Sequence, residues 1–188
     1  MNIANYIIIL CVFLFIMQMI MGPEFTAVGT LVGGLLLTEP WRIITSMFLH
    51  GSLEHLFFNM FALFVFGNVL ERKMGGNIFT LIYLVSGIIG SIGFVLSSGP
   101  SASALGASGA IFGIIGALVV VAPNMTVYLF GGLPMPMYAV GILYVAIEIF
   151  AFGKADNIAH SAHLLGLVGG FITAKAYEYM GPGGEIKW

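Results

Sequence analysis

The chain has 188 residues, of which 60% are hydrophobic and only 7% charged, with mean hydropathy +1.07. That balance leaves a water-soluble globule too few polar side chains for its surface, so the solvent is lipid. A net charge of −2 provides no basic face to neutralise phosphates, which excludes nucleic-acid binding, and a single cysteine, Cys11 in an apolar stretch, forms no intrachain disulfide and reads as a core or lipid-facing residue.

The first apolar segment, residues 6–21, has no Lys or Arg before it and no small-residue cleavage site after it, so it is expected to be a retained helix rather than a signal peptide. Between Pro23 and Gly51 lies a long connection. Its apolar part, Ala27–Leu37, is too short to span and is followed by Glu39, Pro40, Trp41 and Arg42. That pattern predicts a segment lying in the interface, with the Trp41 ring among headgroups and the Arg42 guanidinium reaching water or phosphate. A role in substrate gating is the alternative.

Further apolar segments follow at 52–69, 78–96, 108–122, 136–152 and 158–177, separated by Gly, Pro, Asn or charge. The expected architecture is therefore an all-α membrane protein, a single domain over 1–188 with six transmembrane helices. Glu71-Arg72-Lys73 closes the second segment, and Lys175 and Lys187 lie at or beyond the end of the last, against Arg42 and Lys154 on the other side. This slight excess predicts both termini in the cytoplasm.

Polar residues inside these spans are costly and are the first functional candidates. The segment 108–122 has 15 residues, about 22 Å of helix against a hydrocarbon core of about 30 Å. The Gly- and Ser-rich run 99–106 before it is a poor helix former. The backbone is thus expected to dip below the outer surface and to start a short, recessed fourth helix there. Ser108 would lie roughly 10 Å deep, where irregular backbone is tolerated only if buried in protein or lining a wet cavity. With the N-terminus inside, the second, fourth and sixth spans all enter from the outer face. His163 lies about six residues, or roughly 9 Å, into the sixth. His55 and Asn59, four residues apart, share one face of the second at the same level.

Gly109 and Gly113 in the fourth span, and Gly166 and Gly170 in the sixth, are paired small residues that let two helix backbones approach closely. Ser108 and His163 each precede such a pair, so the crossing would bring hydroxyl to imidazole. His163 would take the serine proton and later return it to the leaving amine. His55, Asn59 and the backbone N–H of Ser108, with Ala107 its backbone neighbour, are the candidate oxyanion donors. The positive end of the fourth helix dipole adds to them.

The run from Gly106 through Ala107, Ser108 and Gly109 to Phe112 and Gly113 resembles the nucleophile motif of the rhomboid intramembrane proteases. Ala162-His163 with Gly166 and Gly170 resembles the family's histidine helix, and His50 through His55 to Asn59 its second-helix motif. Trp41-Arg42 is similar to its first-loop pair, and Gly67 to Glu71 to the acidic end of the second helix. The resemblance covers nearly the whole chain and implies the six-helix core. It also implies a Ser108–His163 dyad that cleaves membrane-anchored substrates without a cofactor, with His55, Asn59 and the Ser108 backbone around the oxyanion. Phe112 departs from members with Tyr beside the histidine; it still packs an imidazole but brings no hydroxyl.

Other readings compete. Ser108 alone could be a packing residue. His160, three residues before His163, could be the base; the glycines at +3 and +7 favour His163. His50, His55, His160 and His163 could be imagined as a metal site, but the H-E-x-x-H signature is absent and no carboxylate or thiol is expected to complete a ligand set, so no metal is expected. No triad acid is required: Asp156, seven residues before His163, reads as a helix cap. Glu148 and Lys175 are the features that would suit a transporter, for which no inverted repeat is found. A catalytically inactive rhomboid relative that binds membrane clients is the other rival. The helix to be cut must partly unwind, so transmembrane clients with Gly, Ala or Ser near the cleavage site are the expected partners. The expected location is the plasma membrane; oligomeric state is not legible.

Overall fold

The computed structural model describes residues 2–129, 132–152 and 158–180. Lys154, Asp156 and Lys187, which entered the topology and capping arguments, lie outside the described residues.

Helix α1 (Ile3–Met21) is apolar on all sides and is stopped by Gly22, whose φ of +82° is open to glycine. Its first backbone donors, which have no partner within the helix, are satisfied from elsewhere. The Glu71 carboxylate accepts from Ile3 N at 2.7 Å and Ala4 N at 2.9 Å, beside an Asn2–Asn68–Asn5 side-chain chain.

The long first connection folds into α2 (Pro23–Gly29), strand β1 (Leu31–Val32), a 3₁₀ turn and the short α3 (Arg42–Thr45). Arg42 departs from its expected orientation: it is buried, and its guanidinium binds Glu39 and the carbonyls of Ala27 and Thr30. The carbonyls left over where α2 ends need donors, and the guanidinium fork supplies several at once. Trp41 stays half exposed.

α4 (Leu53–Ala62), a π turn at Leu63–Gly67 and α5 (Asn68–Met74) run on as one helix, Leu53–Met74. Glu71, Arg72 and Lys73 thus belong to its last turns, which end at Gly75 with φ +80°. α6 (Gly76–Ser98) follows, then α7 (Ser108–Val121), α8 (Met137–Ala151) and α9 (His160–Met180). Among the described residues, three helices are long and apolar enough to cross a membrane: Ile3–Met21, Leu53–Met74 and Gly76–Ser98. α7 and α8 are apolar but shorter, at 14 and 15 residues. α9 has 21 residues and carries His160, His163, Lys175 and Glu178.

The all-α expectation needs one correction. β1 pairs antiparallel with β2 (Ser103–Ala104), and β3 (Thr126–Leu129) forms a hairpin with β4 (Leu133–Pro136). Where the chain leaves a helix its backbone groups still need partners, and the two non-helical stretches on either side of α7 find some of them in short ladders.

α6, α7 and α9 make the tightest part of the bundle. A β-carbon on Gly113 would fall against Ser86 and the Gly166 carbonyl, and one on Gly170 against the Gly113 carbonyl. Gly116 meets Leu167 and Phe171 backbone, and Gly90 of α6 meets the Ala162 carbonyl. Backbones at such distances exclude any larger residue.

Candidate functional site

Ser108 is the first residue of α7. The chain reaches it through Gly106, whose φ of +130° few other residues adopt and whose N–H donates to the Ser46 carbonyl at 2.8 Å. A side chain here would also strike the His55 ring. Two constraints thus act on one residue: the turn that starts α7 and the packing of α4 over it. Ala107 is fully buried beneath this turn.

The α7–α9 crossing brings His163 to Ser108, with Nε2 2.7 Å from Oγ. The imidazole lies parallel to the Phe112 ring, centroids 4.3 Å apart and planes 6° from coplanar. Tyr144 of α8 packs edge to face against Phe112, centroids 5.3 Å apart. The ring's other nitrogen is also engaged: Nδ1 lies 2.9 Å from Glu148 Oε1. The second carboxylate oxygen, Oε2, lies 2.5 Å from His160 Nδ1. Glu148, His160 and His163 are all buried.

This acid was not expected beside the histidines. On sequence Glu148 reads as an acid in an apolar segment that would suit a transporter, with no role in the serine–histidine pair. The missed signal was its cost: an acid in an apolar helix is retained only with partners, and α8 and α9 are neighbours in the bundle. Glu148, His160 and His163 do bring three ligand-type atoms within 4.8 Å of one another, so the premise that no carboxylate stands near these imidazoles is corrected. His160 faces the carboxylate, not Ser108, while His50 and His55 lie apart from this cluster, edge to face at 5.2 Å.

His55 and Asn59 sit on the α4 face toward the start of α7. The Asn59 amide donates to the His55 carbonyl at 2.8 Å, which occupies one of its two N–H groups and leaves the second. Beside Ser108 a cavity of about 40 Å³ is lined by Ser46, Met47, Gly87, Ser91 and Ser108 among others, room for a small number of waters. His50 is buried where the first connection meets α4; Gln18 of α1 holds its backbone on both sides, accepting from His50 N and donating to His50 O, each at 3.1 Å. That clamp had no signal in the sequence beyond a Gln in an apolar helix. Burial, with His55 beside it, lowers the His50 pKa to about 4.

Three helices long and apolar enough to cross a membrane, beside a polar cluster on α7, α8 and α9, define an integral membrane protein of the helical, multi-pass class. The Rhomboid domain model matches residues 37–179, and the chain belongs to the rhomboid family. Over 141 residues it is 45% identical to the protein named Rhomboid protease GluP of Bacillus subtilis (strain 168), which covers 73% of this chain and 26% of GluP. It is 38% identical over 135 residues to RHOMBOID-like protein 6, mitochondrial, of Arabidopsis thaliana, covering 71% of this chain and 42% of that one. A third relative, Inactive RHOMBOID-like protein 8 of Arabidopsis thaliana, is 32% identical over 137 residues, covering 72% of this chain and 36% of its own. The chain therefore spans about a quarter to two fifths of the length of these relatives.

Proposed function

We propose that this chain is an intramembrane serine endopeptidase that hydrolyses peptide bonds in or near the transmembrane segments of membrane-anchored substrates. The observation that carries the reading is the 2.7 Å contact between Ser108 Oγ and His163 Nε2, at a helix start beside a cavity. In the reaction Ser108 Oγ attacks the scissile carbonyl carbon while its proton passes to His163 Nε2. That proton then goes to the departing amine nitrogen as the C–N bond breaks, and water hydrolyses the acyl-enzyme by the same steps. The N-terminal end of α7, the Ser108 N–H, the remaining Asn59 N–H and His55 are the donors available to the oxyanion.

The same reading takes α1, Leu53–Met74, α6, α7, α8 and α9 as six spans of one domain, with a recessed fourth span, both termini in the cytoplasm and the plasma membrane as location. Preferred clients carry Gly, Ala or Ser near the cleavage site, because a stable helix hides its carbonyls. A relative named inactive motivates the second reading, a client-binding protein without turnover.

A fluorophosphonate probe separates the two. An isolated hydroxyl is a poor nucleophile near neutral pH and reacts only when a base accepts its proton. Ser108 should be labelled in detergent or liposomes. Labelling should be lost in Ser108→Ala and in His163→Ala, and largely kept in His160→Ala. Probe mass on another serine, or Ser108 labelled equally in His163→Ala, would refute the assignment.

A further inference from the structure

We infer that Glu148 is the positioning residue of the serine–histidine pair, so that the site works as a chain of four groups, Ser108, His163, Glu148 and His160. The inference rests on the protease reading above. His163 has two ring nitrogens, and the neutral imidazole carries one proton. Oγ must give its proton to Nε2, so Nε2 must be bare and Nδ1 must hold the ring proton. A carboxylate oxygen 2.9 Å from Nδ1 accepts that proton as a hydrogen bond and so selects this tautomer. It also fixes the ring's rotation, together with the parallel Phe112 ring.

The carboxylate acts again during the reaction. When Nε2 takes the serine proton, an imidazolium forms inside a bundle of apolar helices, where an uncompensated charge is expensive. Glu148 places a negative charge against it without passing a proton itself, as the acid does in soluble serine protease triads. His160 completes the arrangement from one turn earlier on α9. Its Nδ1 holds the second carboxylate oxygen, so the acid on α8 is pinned to the helix that carries the base. The groups in contact with His163 from its neighbours are Ser108 and Phe112 of α7 and Glu148 of α8, with Tyr144 of α8 packed on Phe112.

The experiment uses the full chain in liposomes with a cleavable transmembrane substrate. Glu148→Gln preserves volume and removes the charge. It should lower kcat on the order of 10²-fold or more, where loss of the corresponding charge in a soluble triad costs about 10⁴, and leave KM within about threefold, the span of ordinary context variation, since a buried acid behind the base does not touch substrate. Glu148→Asp keeps the charge with a shorter reach and should recover part of kcat, whereas Glu148→Ala should not. His160→Ala should cost less than Glu148→Gln. A second readout needs no variant at position 148: in wild-type protein labelled with ¹⁵N-histidine, His163 should carry its proton on Nδ1 and none on Nε2 at neutral pH, the less common tautomer of free histidine. A kcat for Glu148→Gln equal to wild type, or a proton found on Nε2, overturns the inference while Ser108→Ala remains inactive. Cleavage by Ser108→Ala would instead remove the protease reading itself.

Discussion

The backbone carbonyl of Gly109 lies where a β-carbon on Gly166 would have to sit. One missing side chain thus lets α7 and α9 touch backbone to backbone, three residues after His163 and one residue after Ser108. Separation of these helices by even one methyl diameter would draw Nε2 away from Oγ and break a 2.7 Å contact.

Gly166→Val should therefore abolish cleavage while the protein still inserts and can be purified, because lipid-facing surfaces are unchanged. Proteolysis of a transmembrane substrate beside a size-exclusion profile in detergent measures both. Wild-type turnover in this variant would mean that the glycine contact does not set the geometry of the pair.

Glu71 supports a different prediction. Its carboxylate accepts from the first N–H groups of α1, so it acts as an N-terminal cap contributed by a distant helix. Glu71→Ala should lower the unfolding free energy by about 1–2 kcal/mol, as loss of a cap does, and leave kcat nearly unchanged. Thermal melts in one detergent, with activity assayed well below the transition, test it. Equal stability would show that lipid headgroups or water satisfy these donors as well as Glu71 does.

The parts of this molecule legible in sequence follow from the cost of polarity in an apolar chain. Long apolar segments poor in charge mark the principal helices, and the glycines at fixed spacing mark where α7 and α9 cross. Depth along each helix places Ser108 and His163 at one level, and in the structure they stand in hydrogen-bond contact. Other pairings across elements were not legible, since no local pattern encodes them. Arg42 turns inward because α2 ends beside it, a fact of tertiary geometry, and Gln18 meets His50 from another helix. Glu148 was visible as an anomaly in α8, but its partners required knowing how α8 faces α9. The short ladders escaped for a related reason: two-residue strands such as Leu31–Val32 have no periodicity to read.

The cluster of Glu148, His160 and His163 makes the metal question a sharp one. A metal ion on His163 Nδ1 would take the lone pair there, put the remaining ring proton on Nε2 and leave no base for Ser108. Ion binding and general-base action at His163 are thus alternatives. Strong chelators should leave cleavage by the purified protein unchanged. Activity lost to a chelator and restored by zinc would overturn the serine–histidine reading.

His50 gives the last prediction, through the linkage between protonation and folding. It lies in the connection before α4, buried, with its pKa lowered to about 4 from an ordinary 6.5. Burial is the larger cause and the neighbouring His55 the smaller. In the unfolded chain His50 takes a proton as pH falls through about 6.5, while in the folded protein it stays neutral until about 4. Between these values the unfolded state binds the extra proton, so acid favours unfolding. The stability associated with a neutral His50 is complete above about pH 6.5 and is lost as pH falls toward 4, up to about 3 kcal/mol for a shift of this size. Melting temperatures recorded from pH 7 to pH 4 should fall for the wild type, and His50→Asn, which cannot titrate there, should flatten that slope even if it is less stable throughout. An unchanged slope would assign the acid sensitivity to other groups.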